Sequence, residues 1–124
     1  MKKKILIIED EKILGEMYQD KFIKAGFETV LIDTAEEGIQ AVSKENPDLI
    51  LLDILLPRAN GISFLEQIKK NKKLASIPVV AFSNYDDPDT KVEAYRLGVK
   101  DYLIKTNYTP GEVVKKVKQL LSQV

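Results

Sequence analysis

Residues Asp48–Gly61 read DLILLDILLPRANG, and within them LILLDILLP sets one carboxylate, Asp53, inside an otherwise unbroken aliphatic run. The apolar residues Leu49–Leu52 show no alternation, which is the pattern of a strand covered on both faces. An ionised carboxylate carried into such surroundings without partners costs several kcal/mol or more. Asp53 must therefore be neutralised, paired or bound to a metal, and the rest of the chain has to supply the means.

On either side of this stretch, short aliphatic runs alternate with segments of helical period. Ile5–Ile8 reads as a buried strand, followed by Ile13, Leu14, Met17, Tyr18 and Phe22 at helical spacing until Gly26. Phe27–Ile32 predicts a second strand, and Thr34-Ala35-Glu36-Glu37 is a capping box opening a helix that runs to about Glu45, ahead of Asn46-Pro47. After the third strand, Leu49–Leu52, a long turn through Pro57 and Asn60-Gly61 leads into a helix carrying Phe64, Leu65 and Ile68. Ile77–Phe82 is the fourth strand. Asp87-Pro88 supplies an N-cap and first-turn proline for a helix with Val92 and Leu97, closed by Gly98. Tyr102–Ile104 is a short fifth strand, and Thr109-Pro110-Gly111-Glu112 caps a last helix carrying Val113, Val114, Val117, Leu120 and Leu121. Five such alternations with continuous apolar strands predict a doubly wound α/β domain, (βα)5, with a five-stranded parallel sheet covered by helices on both faces.

Composition narrows the chemistry. The chain has 124 residues, the size of one domain, and is 44% hydrophobic and 31% charged. Lysine plus arginine and aspartate plus glutamate both number 19, so the formal net charge is zero, against the basic excess expected for nucleic-acid binding. The lysine clusters KKNKKL (69–74) and KKVK (115–118) read as solvated helix faces. There is no cysteine and no histidine, which removes disulfides, thiolate and imidazole metal sites and the usual nucleophile-base pairs. Any metal should be held by oxygen. The apolar run after the MKKK opening stops at Glu9, too short for an export signal, and no run approaches a membrane span, so a cytoplasmic protein with no membrane association is expected.

In doubly wound sheets ligands bind beyond the carboxyl ends of the strands, where strand order reverses. Those ends carry Glu9-Asp10, Asp33, Asp53, Ser83 and Lys105. Each has a plain reading alone: Asp10 as a helix cap, Asp33 as a strand breaker, Ser83 as a loop hydroxyl, Lys105 as a surface amine. Asp33 keeps its plain reading, because an edge strand lies away from the switch point. Crowding Glu9, Asp10 and Asp53 together is different, since two unit charges about 4 Å apart at an effective dielectric of about 20 repel by roughly 4 kcal/mol. Lys105 offers one positive charge, and Mg²⁺ bound by carboxylates and water would offer two more.

The ordered set ILIIEDE, LILLDILLP with the following NG, VVAFSN and DYLIK resembles a response regulator receiver domain along essentially the whole chain, residues 1–124. The resemblance implies the flavodoxin-like strand order 2-1-3-4-5, and it implies that Asp53 is the phosphoacceptor, taking a phosphoryl group from a sensor histidine kinase, a histidine phosphotransfer protein or a small phosphodonor. It implies Mg²⁺, with Mn²⁺ as the alternative ion, on Asp10, Asp53 and the backbone carbonyl of Leu55, with Glu9 acting through water. Ser83 and Lys105 would contact the phosphoryl oxygens. Tyr102 matches the family's switch aromatic, whose rotamer follows Ser83, and the fourth helix, fifth strand and fifth helix would form the face for a downstream protein partner or homodimer. Without an output domain after the last helix, the chain fits a stand-alone receiver or a piece of a longer regulator or hybrid kinase.

Some positions depart from the family's pattern. Lys105 is followed by Thr106 where the family usually has proline after a cis peptide bond, and a non-proline cis bond costs about 3 kcal/mol. Asn84 replaces a small residue and narrows access to Asp53. Leu55 and Tyr85 flank the way in, an apolar and aromatic pair that predicts slow self-dephosphorylation. The first alternative is a degenerate receiver acting as a phosphorylation-independent binding module. An aspartate-nucleophile phosphatase is disfavoured, because its second acid would stand where Leu55 is, and no glycine-rich phosphate loop is present.

Overall fold

The computed structural model describes residues 2–56, 60–84 and 86–122. Its elements alternate from end to end: β1 (Lys4–Ile8), α1 (Lys12–Lys24), β2 (Glu28–Ile32), α2 (Ala35–Glu45), β3 (Leu49–Leu52), α3 (Gly61–Lys70), β4 (Val79–Ser83), α4 (Pro88–Arg96), β5 (Asp101–Ile104) and α5 (Pro110–Ser122), with 3-10 turns at Leu74–Ser76 and Lys105–Asn107. The sheet is five-stranded, with order β2-β1-β3-β4-β5, and each neighbouring pair is parallel. This is the predicted flavodoxin-like order. The chain leaves β1 for β2 on one side and returns to place β3 on the other, so the crevice for a ligand opens between the ends of β1 and β3.

Alternation along the strands sorts the core into two layers. Leu6, Ile8, Ile50, Leu52, Val79, Ala81 and Tyr102 pack with α2, α3 and α4 residues such as Val42, Phe64, Leu65 and Ala94. Ile5, Ile7, Leu49, Leu51, Val80, Phe82 and Leu103 pack with Tyr18 and Phe22 of α1 and Val113 and Val117 of α5. Leu49–Leu52 are each fully buried. Burial of four such side chains is worth roughly 6–12 kcal/mol gross, enough to hold the end of β3 in place while it carries an acid out of the core.

The helix ends follow local chemistry. Thr34 Oγ1 accepts the Glu37 N–H at 3.2 Å. At α5 the capping box is reciprocal, Glu112 N–H to Thr109 Oγ1 and Thr109 N–H to Glu112 Oε1. Gly26 and Gly98, just past α1 and α4, have φ of 98° and 97°, which a side chain would resist. Boundaries differ from expectation at β4, which starts at Val79 because Leu74–Ser76 forms a 3-10 turn and Pro78 has no N–H to give; its carbonyl accepts Ile50 N–H instead. Asn60, expected in a turn, is the N-cap of α3 and accepts Ser63 N–H at 3.0 Å. Pro57 and Tyr85 lie outside the described residues.

Candidate functional site

The strand ladder continues one residue beyond its ends, and this is what places the acids. Glu9 N–H donates to the Ile32 carbonyl and Asp53 N–H to the Ile8 carbonyl, each at 2.9 Å. Glu9, Asp10 and Asp53 can each offer a carboxylate oxygen within 4.8 Å of the others. Glu9 and Asp53 are buried, at 1% and 3% exposure, whereas Asp10 faces solvent. Asp10 does not cap α1: the N-cap is Glu11, which makes no side-chain cap bond, and Glu9 Oε2 accepts the Glu11 N–H at 3.0 Å.

Lys105 reaches this cluster on a trans peptide, since no peptide bond among the described residues is cis. Its Nζ lies 2.5 Å from Glu9 Oε1 and 3.2 Å from Asp53 Oδ2, with the side chain 9% exposed. The other Asp53 oxygen, Oδ1, accepts the Leu55 N–H at 3.1 Å. The question posed by Asp53 thus has a structural answer: it sits at the rim of the core with both oxygens engaged. Asp10, Glu11, Asp53, Leu55, Ser83, Asn84 and Lys105 line a cleft of about 110 Å³ above it. Leu55 is half exposed at the mouth and Asn84 is exposed.

One ammonium cannot offset the burial of two acids. Burial pushes Glu9 up from 4.5 to about 7, with the hydrogen bond to Lys105 and the Glu11 N–H pulling the other way and the charge of Asp53 adding to the rise. Burial also raises Asp53, against the charge and hydrogen bond of Lys105 and the bonds from Leu55 N–H and Glu9. For Lys105 burial alone would lower the ammonium, but its contacts with Glu9 and Asp53 outweigh that and hold it above its ordinary value. The site is short of positive charge, and its donors are hard oxygens, the chemistry that suits Mg²⁺ or Mn²⁺.

Ser83 and Tyr102 lie on the other side of the sheet edge. Ser83, fully buried, ends β4 beside Ile104. Tyr102 is 7% exposed, and its hydroxyl is pushed up to about 12 by burial, opposed by a hydrogen bond with Ser83. Lys91 of α4 stands 5.9 Å from the centre of the Tyr102 ring and pairs with Asp86. Asp33 is exposed and lines a neighbouring cleft with Glu9, Asp10, Lys12 and Glu37, outside the group that converges on Asp53.

Two residues that sequence reasoning left in the core also belong to the site's surroundings. The Phe82 ring centre is 5.0 Å from Lys105 Nζ, and Tyr18 meets Phe82 edge-on at 4.8 Å. Their only sequence signal is an aromatic residue directly before Ser83 and another on the inner face of α1.

A model of the response regulator receiver domain matches residues 5–118. The alkaline phosphatase synthesis transcriptional regulatory protein PhoP of Bacillus subtilis is 32% identical over 98% of this chain and 49% of its own length. The chain spans about half the length of this relative. A response regulator receiver domain protein (CheY-like) of Methanospirillum hungatei superposes with a TM-score of 0.92 at 25% identity, covering 99% of this chain and 96% of that one. The Mn²⁺-bound form of response regulator Rcp1 is 29% identical with a TM-score of 0.80, over 97% of this chain and 92% of that one. With the five-stranded order, the acid cluster and these matches in agreement, the chain belongs to the response regulator receiver domains, the phosphorylation-activated signalling switches of two-component systems.

Proposed function

We propose that residues 1–124 act as one receiver unit in which Asp53 is the phosphoacceptor. The observation that carries this reading is the convergence of Glu9, Asp10, Asp53 and Lys105, residues from three strand ends, with Asp10, Asp53 and Lys105 lining one small cleft. An Asp53 carboxylate oxygen attacks phosphorus as the bond to the donor breaks, either the P–N bond of a phosphohistidine on a sensor kinase or phosphotransfer protein or the bond to a small donor's leaving group. Lys105 lies where its ammonium can neutralise a phosphoryl oxygen, and the Ser83 hydroxyl can donate to another. Asp10 and Asp53, with the Leu55 carbonyl and with Glu9 through water, would hold Mg²⁺ or Mn²⁺. When bound, the ion supplies charge neutralisation on the transferring phosphoryl group.

The added charge on Asp53 is read by Ser83 and passed to Tyr102. The main-chain N–H of Tyr102 donates to the Tyr95 hydroxyl of α4 at 3.1 Å, and Lys116 of α5 lies 3.5 Å from Asp101 at the start of β5. Val92 and Tyr95 are exposed beside them, at 68% and 48%. We place the downstream protein partner or homodimer contact on this α4-β5-α5 face, with no role for nucleic acid or membrane in the chain's own surface, and expect a cytoplasmic location. Among the described residues no helix is long and apolar enough to cross a membrane.

The test is intact-mass spectrometry after incubation with acetyl phosphate or phosphoramidate, with and without Mg²⁺, on the wild type and Asp53→Asn. One Mg²⁺-dependent phosphoryl adduct, absent from the variant, is expected. No adduct from either donor together with no Mg²⁺ binding would overturn the switch reading in favour of a phosphorylation-independent binding module.

A further inference from the structure

Lys105 must be held in place without the proline that usually follows the lysine in this family. It opens a 3-10 turn, Lys105–Asn107, followed by Tyr108, and this turn has no side-chain cap at its start. A lysine side chain has four rotatable bonds, and fixing it costs rotamer entropy. Its two ion pairs attract it, but they do not choose between many ways of reaching the same carboxylates. Something else has to narrow the path of the side chain.

The alternation of the sheet identifies what does. Phe82 and Leu103 are paired in register and point to the layer under α1 and α5. Two residues beyond Leu103, Lys105 returns to that side, and its Nζ stands 5.0 Å from the Phe82 ring centre. The ring itself is 1% exposed and packs against Tyr18 in a T-shaped pair, with centroids 4.8 Å apart and planes at 76°. This is a preferred geometry of an aromatic pair, and the ammonium of Lys105 stands over the electron-rich Phe82 ring. At a site excluded from water a cation over an aromatic face gains more than at the surface.

We propose that the Tyr18–Phe82 pair is an aromatic brace that positions Lys105 over Asp53 in this chain. Phe82 holds the ammonium from the core side while Glu9 and Asp53 hold it from the cleft side, and Tyr18 keeps the ring from turning. Both aromatic residues are positioning residues; neither reaches the cleft. The inference rests on the reading of Lys105 as the group that contacts the phosphoryl oxygens.

The experiment is a double-mutant cycle on the rate of phosphorylation by phosphoramidate in saturating Mg²⁺, using Phe82→Leu, Lys105→Met and the pair together. Phe82→Leu keeps apolar volume and removes the ring face, and a fall of about tenfold is expected. In the Lys105→Met background the same change should have no further effect. Phe82→Tyr, which keeps a ring, should retain the wild-type rate. Alongside the rates, the Lys105 side-chain resonances report the ring directly: they are shifted upfield by Phe82 in the wild type and return toward the free-lysine position in Phe82→Leu. If Phe82→Leu does not fold, Tyr18→Leu, which removes the supporting ring, should produce the same pattern at smaller size. Equal slowing by Phe82→Leu with and without Lys105, or Lys105 resonances unmoved by loss of the ring, would overturn the brace. A Lys105→Met variant as fast as wild type would instead refute the role of Lys105, while the resonance shift still decides whether the brace exists.

Discussion

The shortage of positive charge around Glu9 and Asp53 makes the metal-free protein less stable as pH rises, and the effect is large enough to measure. Glu9 titrates near 4.5 in an unfolded chain and near 7 in the folded one, chiefly because of burial. A folded-state value raised above the unfolded one means that the native state binds the proton more tightly. The stabilisation is complete below about pH 4.5 and is lost as pH rises through 7. Between pH 5 and pH 8 this amounts to about 2–3 kcal/mol, at roughly 1.4 kcal/mol per pH unit. Asp53 is raised as well and adds to the change in the same direction. Lys105 is held above its ordinary value, so its own loss of charge falls at alkaline pH, outside this window.

Urea unfolding in EDTA at pH 5, 6, 7 and 8 tests this, comparing wild type with Glu9→Gln. The wild-type midpoint should fall by about 1–3 M across the series relative to the glutamine variant, for a slope of about 1–3 kcal/mol per molar urea. Saturating Mg²⁺ should reverse the trend, because an ion that requires ionised carboxylates binds better as pH rises and stabilises only the folded state. Proton release on Mg²⁺ addition near pH 6.5 follows from the same linkage. Parallel pH profiles for wild type and Glu9→Gln in EDTA would refute the reasoning, because they would mean that Glu9 does not carry a proton in the folded site at neutral pH.

Two other changes follow from the geometry around Asp53. A Cβ on Gly61 would lie 2.8 Å from Ile54 Cα and 3.0 Å from the Asp53 carbonyl, both backbone atoms, so Gly61→Ala should lower stability by about 1–3 kcal/mol and slow phosphorylation by displacing Asp53; urea unfolding and the adduct assay measure both. The exposed Leu55 at the cleft mouth is expected to keep water from the acyl phosphate, so Leu55→Asn, combined with Tyr85→Glu at the second position that the sequence pattern singles out, should shorten the phosphoryl lifetime, and loss of the adduct no faster than wild type would sink that idea.

What could be read without coordinates was whatever local chemistry determines. The unalternating run Leu49–Leu52 demanded a two-sided cover, the Thr34 and Thr109 capping boxes marked helix starts, and strand ends in a parallel sheet pointed to Glu9, Asp10 and Asp53. What could not be read depends on contacts between distant residues or on competition between nearby ones. The 3-10 turn at Leu74–Ser76 delays β4, although Ile77 and Pro78 continue its apolar pattern. Asn60 resembles a turn residue and caps a helix instead. The direction taken by Lys105 is decided by Glu9, ninety-six positions earlier, and by a ring on β4 that itself leans on α1. No window of sequence contains that information.

The same alternation that divides the core also divides the work of the site. Glu9, Asp53 and Lys105 meet one another on the side of Ile7, Leu51 and Leu103, over α1 and α5, where Phe82 and Tyr18 back them. Tyr102 packs in the opposite layer, hydrogen-bonded with Ser83 and overlaid by Lys91 of α4. On the proposed reading, a charge placed on Asp53 arises on one side of the sheet and is felt on the other. Ser83 is the residue through which that can happen with least rearrangement: it lines the cleft with Asp53, adjoins Phe82 in the chain and bonds Tyr102 across the edge. Movement of its hydroxyl toward a phosphoryl oxygen would take a hydrogen-bond partner from Tyr102, while the main chain of β4 and β5 stays in register. The strands can then remain as rigid as their packing requires, and the change is confined to side chains and to the loop leading into α4.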